Sequence, residues 1–269
     1  MQELNFSVII PAKNSQRTIG KCLSSVFNQD YASSEVIVVD GGSRDKTREI
    51  AQSYGARVFL EPAHTGDAPG IGRNYGAKKA SGDVFAFLDS DCYPEETWLG
   101  KVAAVLSDRK IGIYGIIVRD LDGTIVSRAY HYLHMQISYD FAPSRCMAVK
   151  TEPFRQVNGF DESLTSGEDN DLSYRVMKLG YRVIVDKETK VYHDDDHLRS
   201  LRAVWTQQRW YLEAETKFRR ELPRRFRRFR TSAPLREHVI PLVKAVWVGG
   251  TQFAIVCLLI KIMSIRRHL

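Results

Sequence analysis

The sequence predicts an α/β protein with a mostly parallel sheet that is flanked by helices. In about the first ninety residues, short β-branched or apolar runs alternate with longer helical patterns, and the runs end in turns rich in Pro, Gly, Asn or Asp. This alternation is typical of βαβ units. A length of 269 residues, 43% hydrophobic residues and a mean hydropathy of −0.29 exclude a disordered chain and a multi-span membrane protein.

The N-terminal elements follow from these runs. The pattern predicts strands at Phe6–Ile10, Val36–Val39, Arg57–Leu60 and Val84–Leu88, and helices at Ser15–Asn28, Asp45–Tyr54 and Pro69–Ala80. Right-handed crossovers bring the C-terminal ends of parallel strands to one edge of the sheet, where open α/β proteins bind ligands. We therefore expect three turns to lie close together at this edge: Pro11–Asn14, Asp40–Ser43 and Asp89–Asp91. Turn propensity explains any one of them, but not the carboxylates in two of the three.

The second half of the chain is less regular. It predicts helices at Pro94–Leu106, Gly167–Leu179 and Leu198–Arg220. It also predicts strands at Ile111–Val118, Thr124–Arg128, Arg145–Val149, Tyr181–Val185 and Lys190–Tyr192, with an Asp122-Gly123 turn between the first two.

Two acidic clusters are candidate catalytic groups. Asp89-Ser90-Asp91 follows an apolar strand, and two carboxylates at this spacing suit a hard divalent cation that also binds phosphate oxygens. Glu168 and Asp169 open a predicted helix, where one acid is enough to stabilise the N-terminus. The pair is therefore either a helix start or the location of a general base.

Two further patterns have a structural interpretation beside a functional one. Gly70–Gly76 is similar to a dinucleotide-binding turn, but it has one residue too many and does not follow the first strand. We therefore expect no dinucleotide site there. His193 follows a predicted strand, and it is either a single metal ligand or part of a solvated loop.

Four motifs in order resemble those of a family-2 glycosyltransferase with the GT-A (nucleotide-diphospho-sugar transferase) fold. They are FSVIIPAKN at Phe6–Asn14, VIVVDGGSRDKT at Val36–Thr47, GRNYGAKKASGDVFAFLDSD at Gly72–Asp91, and GFDE at Gly159–Glu162 followed by GED. The resemblance runs from about Phe6 to Trp210. It implies sugar transfer from a nucleotide-diphosphate sugar, with inversion, to a lipid-linked, glycan or protein acceptor, with Mg²⁺ or Mn²⁺ as cofactor.

The resemblance also implies a role for individual residues. Asp169 would be the catalytic base, and Asp91 with Asp89 would bind the metal. Nucleotide-sugar contacts are implied at Pro11, Ala12, Asn14, Asp40, Arg73, Asp89 and Ser90, and acceptor-side or diphosphate contacts at Gly159, Phe160, Glu168, Arg209 and Trp210. Gln207–Trp210 is similar to the Gln-x-x-Arg-Trp element of processive synthases, but Thr206 stands where its Gln should be, which argues against long-chain synthesis.

The positive charge of the chain is concentrated near the C-terminus. The net charge is +7, yet Lys217–Arg236 alone carries nine basic residues and one acid, so the remainder is close to neutral. An apolar stretch follows at Val239–Ile265. We therefore expect a catalytic domain at 1–222, a basic linker at 223–238 and an apolar helical segment at 239–269 that either lies on an anionic membrane or spans it once.

Location and two other functions complete the expectations. No signal peptide is visible, and the four cysteines form no Cys-x-x-Cys pair, so we expect the cytoplasmic side of the cell membrane. A sugar-1-phosphate nucleotidyltransferase would share the fold class, but it needs a Gly-rich loop after the first strand. A nucleic-acid-binding protein would use the arginine run, but it leaves the acidic strand ends unexplained.

Overall fold

The computed structural model describes residues 3–31, 35–62, 68–120, 123–135, 140–194, 200–207, 209, 245, 248 and 250–261. The chain divides into two compact units. The first comprises Met1–Arg119 and Tyr139–His193, and the second comprises Asp120–Ser138 and Asp194–Leu269.

The first unit is built on a seven-stranded, mostly parallel sheet, as the sequence predicts. The strands of the fold are β1 (Phe6–Ala12), β2 (Glu35–Asp40), β3 (Arg57–Leu60), β4 (Val84–Leu88), β5 (Cys92–Pro94), β6 (Ile111–Ile116), β7 (Arg119–Asp120), β8 (Cys146–Lys150), β9 (Arg182–Asp186) and β10 (Val191–His193). The main sheet has the order β3-β2-β1-β4-β8-β6-β9, and a small sheet has the order β5-β10-β7.

One strand of the main sheet departs from the parallel arrangement. Strand β8 pairs antiparallel with both β4 and β6, with Leu88 opposite Cys146. The carboxyl ends of β1 to β4 therefore share one edge, as expected, but β8 contributes its amino end to that edge. As a result, Ser144 and Arg145 lie just beyond the end of β4, and the Asp89 N–H donates to the Arg145 carbonyl at 2.9 Å.

Helices connect the strands. They are α1 (Ile19–Phe27), α2 (Thr47–Ser53), α3 (Pro69–Lys79), α4 (Trp98–Leu106), α5 (Ile125–Met135), α6 (Thr151–Gln156) and α7 (Glu168–Lys178). The core of the first unit lies between the main sheet and its own helices, and Ile9, Phe87 and Leu172 are fully buried in it. Helix α3 lies close to the sheet: a Cβ on Gly76 would stand 2.4 Å from Ile9 Cγ2. The glycines of 70–76 thus belong to a helix, consistent with the expectation that they form no dinucleotide site.

The predicted strand at Thr124–Arg128 is wrong. These residues lead into helix α5, which belongs to the second unit. Val126, Ala129, Tyr130 and Leu133 are buried at helical spacing, so the apolar face recurs with a helical period. The β-branched pair Ile125-Val126 favours a strand when only 124–128 are considered. The helical period becomes visible only when Ala129, Tyr130 and Leu133 are included.

The second unit has its own small core. Val204, Phe253, Cys257 and Ile260 pack with the buried face of α5. Residues 201–207 and 250–261 are helical. Among the described residues, no helix combines the length and apolar character needed to cross a bilayer. The arginine run and the predicted linker at 223–238 lie outside the described residues, so the three domain boundaries stay predictions.

Candidate active site

The first two turns at the carboxyl edge are hydrogen-bonded to each other. Asn14 has a φ of 52°, in the left-handed region that Asn tolerates better than most residues. Its N–H donates to Ser43 Oγ at 2.8 Å, and its Oδ1 accepts from the Arg44 N–H at 3.0 Å. The Ser15 N–H donates to Thr47 Oγ1 at 2.7 Å. These bonds fix the backbone that follows Pro11 and Ala12, which the sequence assigns to the nucleoside pocket.

Asp40 ends strand β2 and is fully buried. Both of its carboxylate oxygens accept from the Ser43 N–H, at 3.2 and 3.1 Å, so part of its role is to hold its own turn. Glu61, at the end of β3, lies beside it: the Glu61 N–H donates to the Asp40 carbonyl, and its Oε2 would stand 3.4 and 3.1 Å from a Cβ on Gly41 and Gly72. Sequence analysis missed Glu61, although its position directly after a strand was a signal.

Arg73 connects the end of strand β4 with the start of helix α7. Its side chain is only 6% exposed, and it pairs with Asp89 Oδ1 at 2.8 Å and with Glu168 Oε1 at 3.2 Å. Burial alone would lower the pKa of Arg73, but the two carboxylates raise it overall. A buried charge requires such partners. Because these two partners lie on different elements, the ion pairs of Arg73 hold the start of helix α7 near the end of β4. It also occupies one oxygen of Asp89, the residue that the sequence assigns to both metal and nucleotide.

Helix α7 begins with the second acidic cluster. Ser144 contacts both acids: its N–H donates to Asp169 Oδ2 at 3.1 Å, and its Oγ donates to Glu168 Oε1 at 3.1 Å. Burial, followed by the charge of Asp169, raises the pKa of Glu168 to about 7. Burial also raises the pKa of Asp169, against the N–H donors of Ser144 and Asn170. Asp169 is partly exposed, and a partly exposed carboxylate with a raised pKa is a suitable proton acceptor.

Asp91 and His193 form the second polar pair at this edge. His193 Nε2 lies 3.2 Å from Asp91 Oδ1, and the imidazole is 4% exposed. Burial raises the pKa of Asp91, but the hydrogen bond from His193 and the charges of His193 and Arg145 lower it overall. The solvated-loop interpretation of His193 is therefore wrong, because the residue ends strand β10 and is buried. The pair offers one carboxylate and one imidazole, which suit a divalent transition-metal ion.

Ser90 lies between the two aspartates. Its Oγ is 2.8 Å from Ser15 Oγ, so the turn after β4 is hydrogen-bonded to the turn after β1. The three turns that sequence analysis expected at one edge are thus connected by side-chain and backbone hydrogen bonds.

Three of the four cysteines surround this turn, a cluster that sequence analysis missed. Cys22, Cys92 and Cys146 are free and at most 1% exposed. Cys22 Sγ donates to the Asp89 carbonyl at 3.7 Å, and Cys92 and Cys146 flank the end of β4. Burial raises the pKa of all three thiols, and the nearby aspartates raise it further. The residues are far apart in sequence, so no local pattern reveals the cluster.

The Gly159–Glu162 motif is anchored by Asn74. Asn74 Oδ1 accepts from the Phe160 N–H, and its Nδ2 donates to the Phe160 carbonyl and to Glu162 Oε1, each at 2.9 Å. Gly159 has a φ of 69°, and a Cβ there would stand 2.4 Å from Asn74 Oδ1. The motif therefore requires glycine at this position. Phe160 is buried in the core, and its predicted acceptor-side role stays a prediction.

The two remaining predicted residues belong to the second unit. Arg209 is an exposed residue of the second unit. Trp210 lies outside the described residues. Their predicted diphosphate or acceptor contacts stay predictions.

Comparisons with known proteins agree with this architecture. A model of Glycosyl transferase family 2 matches residues 7–154. Glycosyltransferase AglE of Haloferax volcanii is 32% identical over 190 residues, which cover 65% of this chain and 62% of AglE. The chain spans less than two thirds of the length of the first curated relatives it matches, and as little as 37% of one of them.

Solved structures support the fold. The mannosyltransferase PcManGT of Pyrobaculum calidifontis, in complex with GDP-Man and Mn²⁺, aligns with a TM-score of 0.67 at 16% identity, covering 100% of this chain and 85% of that one. TarS 1–349 of S. aureus, in complex with UDP, aligns with a TM-score of 0.55 at 25% identity, covering 78% and 65%. The family model spans more than half of the chain and ends just after strand β8. On the extent of that match, the chain is a member of glycosyl transferase family 2, a family of enzymes.

Proposed function

We propose that the protein transfers a sugar from a nucleotide-diphosphate sugar to an acceptor hydroxyl or lipid phosphate, with inversion and with the help of Mg²⁺ or Mn²⁺. The observation that carries the proposal is the arrangement at one edge of the first unit, where the Asp91–His193 pair and the Glu168–Asp169 pair are connected through Asp89 and Arg73. Neither a nucleotidyltransferase nor a nucleic-acid-binding protein is favoured by the family match.

Asp91 and His193 are the residues that would hold the cation. The donor set of one carboxylate and one buried imidazole fits a divalent ion, and the Asp91 side chain remains 35% exposed. When bound, such an ion supplies charge neutralisation for a diphosphate leaving group. The bound metal in PcManGT and the UDP in TarS support this assignment by analogy.

Asp169 is the proposed catalytic base. It lies at the first turn of α7, its Oδ2 is held by the Ser144 N–H, and Arg73 pairs with its neighbour Glu168. A carboxylate fixed in this way can accept the proton of the acceptor hydroxyl as that oxygen attacks the anomeric carbon. Direct attack on the face opposite the leaving group gives inversion.

The variant Asp169→Asn tests the base. We expect transfer to fall by at least about a hundredfold, because general-base catalysis typically contributes that much. Calorimetry should show nucleotide affinity within about threefold of the wild type, since the hydrogen bonds of the Asp169 carboxylate are to the Ser144 and Asn170 N–H groups and not to the turns assigned to the nucleotide. Asp171→Asn, the same change two residues later on α7, removes an ion pair with Arg175 and should retain transfer. Lost nucleotide binding in Asp169→Asn would contradict the assignment.

The donor can be identified by ligand stabilisation. A nucleotide sugar that binds the folded state raises the melting temperature by mass action, by an amount equivalent to about 2.7 kcal/mol at a hundredfold excess over Kd. We expect one base and sugar to stabilise the protein in the presence of Mn²⁺, and Asp91→Asn to weaken that effect. Equal stabilisation by all nucleotide sugars, with or without metal, would contradict a specific metal-assisted donor site.

We also propose that the enzyme acts at an anionic membrane surface. In the second unit, Ile255, Leu258 and Leu259 are between 40% and 51% exposed on the helical segment 250–261, and Val248 is 61% exposed. The sequence places the arginine run of 224–230 shortly before this segment. Apolar side chains next to basic ones favour a peripheral contact with anionic lipid.

A further inference from the structure

The cation site contains a third side chain that differs in chemistry from the other two. Cys92 immediately follows Asp91 and lies directly opposite His193 in the β5–β10 ladder. Directly opposed residues in an antiparallel pair project from the same face, with Cβ atoms about 5 Å apart. The Cys92 N–H donates to the Asp89 carbonyl at 3.0 Å, so the chain turns tightly at 89–92 and returns Asp91 toward its neighbour.

We propose that Cys92 is a third protein ligand of the cation site, so that a thiophilic ion such as Zn²⁺ binds through Asp91, Cys92 and His193 more tightly than the Mg²⁺ or Mn²⁺ of the proposed function. The inference rests on the proposed function in that it uses the same Asp91–His193 pair. The three ligand atoms, one from each residue, lie within 4.8 Å of one another. Tetrahedral coordination, with metal–sulfur and metal–nitrogen bonds of about 2.3 and 2.0 Å, requires them to approach by about 1 Å.

The burial of the three side chains supports such a site. Cys92 is fully buried and His193 is 3% exposed, whereas the Asp91 side chain is 35% exposed. Three protein ligands with one open side are typical of zinc sites that also take water or substrate. Mg²⁺ and Mn²⁺ prefer oxygen ligands, whereas thiolate favours Zn²⁺, Co²⁺ and Cd²⁺. A site with a buried sulfur therefore discriminates among ions more sharply than carboxylate and imidazole alone.

Absorption spectroscopy of the full chain with Co²⁺ tests the proposal without an activity assay. Thiolate coordination to Co²⁺ gives an intense charge-transfer band in the near ultraviolet, which oxygen and nitrogen ligands do not give. We expect the band in the wild type and its loss in Cys92→Ser. Cys22→Ser is the matched control, because Cys22 is equally buried beside Asp89 but lies outside the three-ligand group. It should retain the band.

Affinity measurements provide a second readout. Competition with a chelating dye should show Zn²⁺ affinity reduced at least tenfold in Cys92→Ser and Mn²⁺ affinity changed less than threefold. If Cys92→Ser fails to fold, ¹¹³Cd NMR of the wild type replaces it, since sulfur ligation moves the resonance far downfield.

The other outcomes overturn the proposal in distinguishable ways. Co²⁺ binding without a charge-transfer band would leave the metal site of the proposed function in place but exclude Cys92. A band that persists in Cys92→Ser would assign the sulfur to another cysteine. Absence of Co²⁺ binding, with sugar transfer unaffected by a chelator, would remove the metal from both proposals.

Discussion

Arg73 holds together two carboxylates that lie far apart in the sequence. Asp89 ends the strand that leads to the cation site, and Glu168 precedes the proposed base. Because the guanidinium has a fixed planar geometry, it sets the distance between Asp89 and Glu168. Lysine could not make both contacts in the same way, so in the proposed site Arg73 would act as a positioning residue.

Ser144 contributes to how the two acids of α7 titrate, after the larger effect of burial. Its Oγ stabilises the ionised form of Glu168, so Ser144→Ala should raise the pKa of Glu168 above its value of about 7. One hydrogen bond is worth about 1 kcal/mol, or somewhat less than one pH unit. Since protonated Glu168 no longer forms an ion pair with Arg73, we expect activity to be lost as pH falls through this pKa. The acid limb of kcat/KM should therefore move to higher pH in Ser144→Ala.

A second buried serine provides the control. Ser173 Oγ accepts from the Ala142 N–H at 3.2 Å, in the same loop–helix contact but without touching a carboxylate. Ser173→Ala should lower stability but leave the acid limb at the wild-type pH. A uniform loss of rate at every pH in Ser144→Ala would contradict the assignment.

Among single residues, those that stand in sequence motifs can be predicted, whereas the residues that pack against them or hydrogen-bond to them cannot. Asp91 and Asp169 stand in recognisable patterns, and the structure brings both to one edge. Ser144 and the three cysteines could not be found in this way, because serine is common and the cysteines lie far apart in the sequence. His193 is a candidate ligand in the sequence, but its burial depends on the pairing of the predicted strand at Lys190–Tyr192 with β5, which the sequence does not indicate.

Helix α3 lies close to the sheet because its glycines allow it. In Gly76→Ala the new Cβ would stand 2.4 Å from Ile9 Cγ2 and 3.0 Å from Val39 Cγ2. Such overpacking typically costs about 1–3 kcal/mol. We expect the urea midpoint to fall accordingly, with an unchanged denaturant slope. Because α3 also carries Arg73, the shift should impair catalysis as well.

Gly100→Ala is the matched change in a helix that has room. The nearest heavy atom to its Cβ is Asp30 Oδ1, at an ordinary contact distance of 3.5 Å. Replacing a glycine inside a helix then stabilises it by about 0.5–1 kcal/mol. If both variants shift stability in the same direction, close packing is not the reason for Gly76.

The elements of the first unit follow from the sequence where short apolar runs are bounded by turn residues. Strands β1 to β4 and helix α3 follow from alternating apolar runs and a proline at the helix start. The orientation of β8 could not be predicted, because the composition of a strand does not indicate which way it runs. Helix α5 was assigned as a strand because Ile and Val have high β-propensity, whereas tertiary packing of its apolar face decides the outcome.

Vesicle binding tests whether the basic run near the C-terminus binds an anionic membrane. We expect the full chain to sediment with phosphatidylserine vesicles more than with phosphatidylcholine vesicles, and salt to weaken the interaction. Each basic residue near anionic lipid contributes about 1 kcal/mol. Replacing Arg224, Arg225, Arg227 and Arg228 with Gln should therefore reduce binding at least tenfold.

The control removes equal charge from the first unit. Lys78, Arg109, Lys110 and Lys178 are exposed there, and replacing them with Gln should leave vesicle binding within about twofold. Equal loss in both variants would mean that net charge, and not the C-terminal run, determines membrane binding.

The position of β8 also has a consequence for how the protein folds. It follows β6 along the chain, yet it lies between β4 and β6 in the sheet. During synthesis β6 therefore cannot join the first four strands until β8 has emerged and inserted. Ser144, which precedes β8, can reach Asp169 only after helix α7 has followed β8. Since His193 comes later still, a nascent chain positions the proposed base before the proposed cation site is complete.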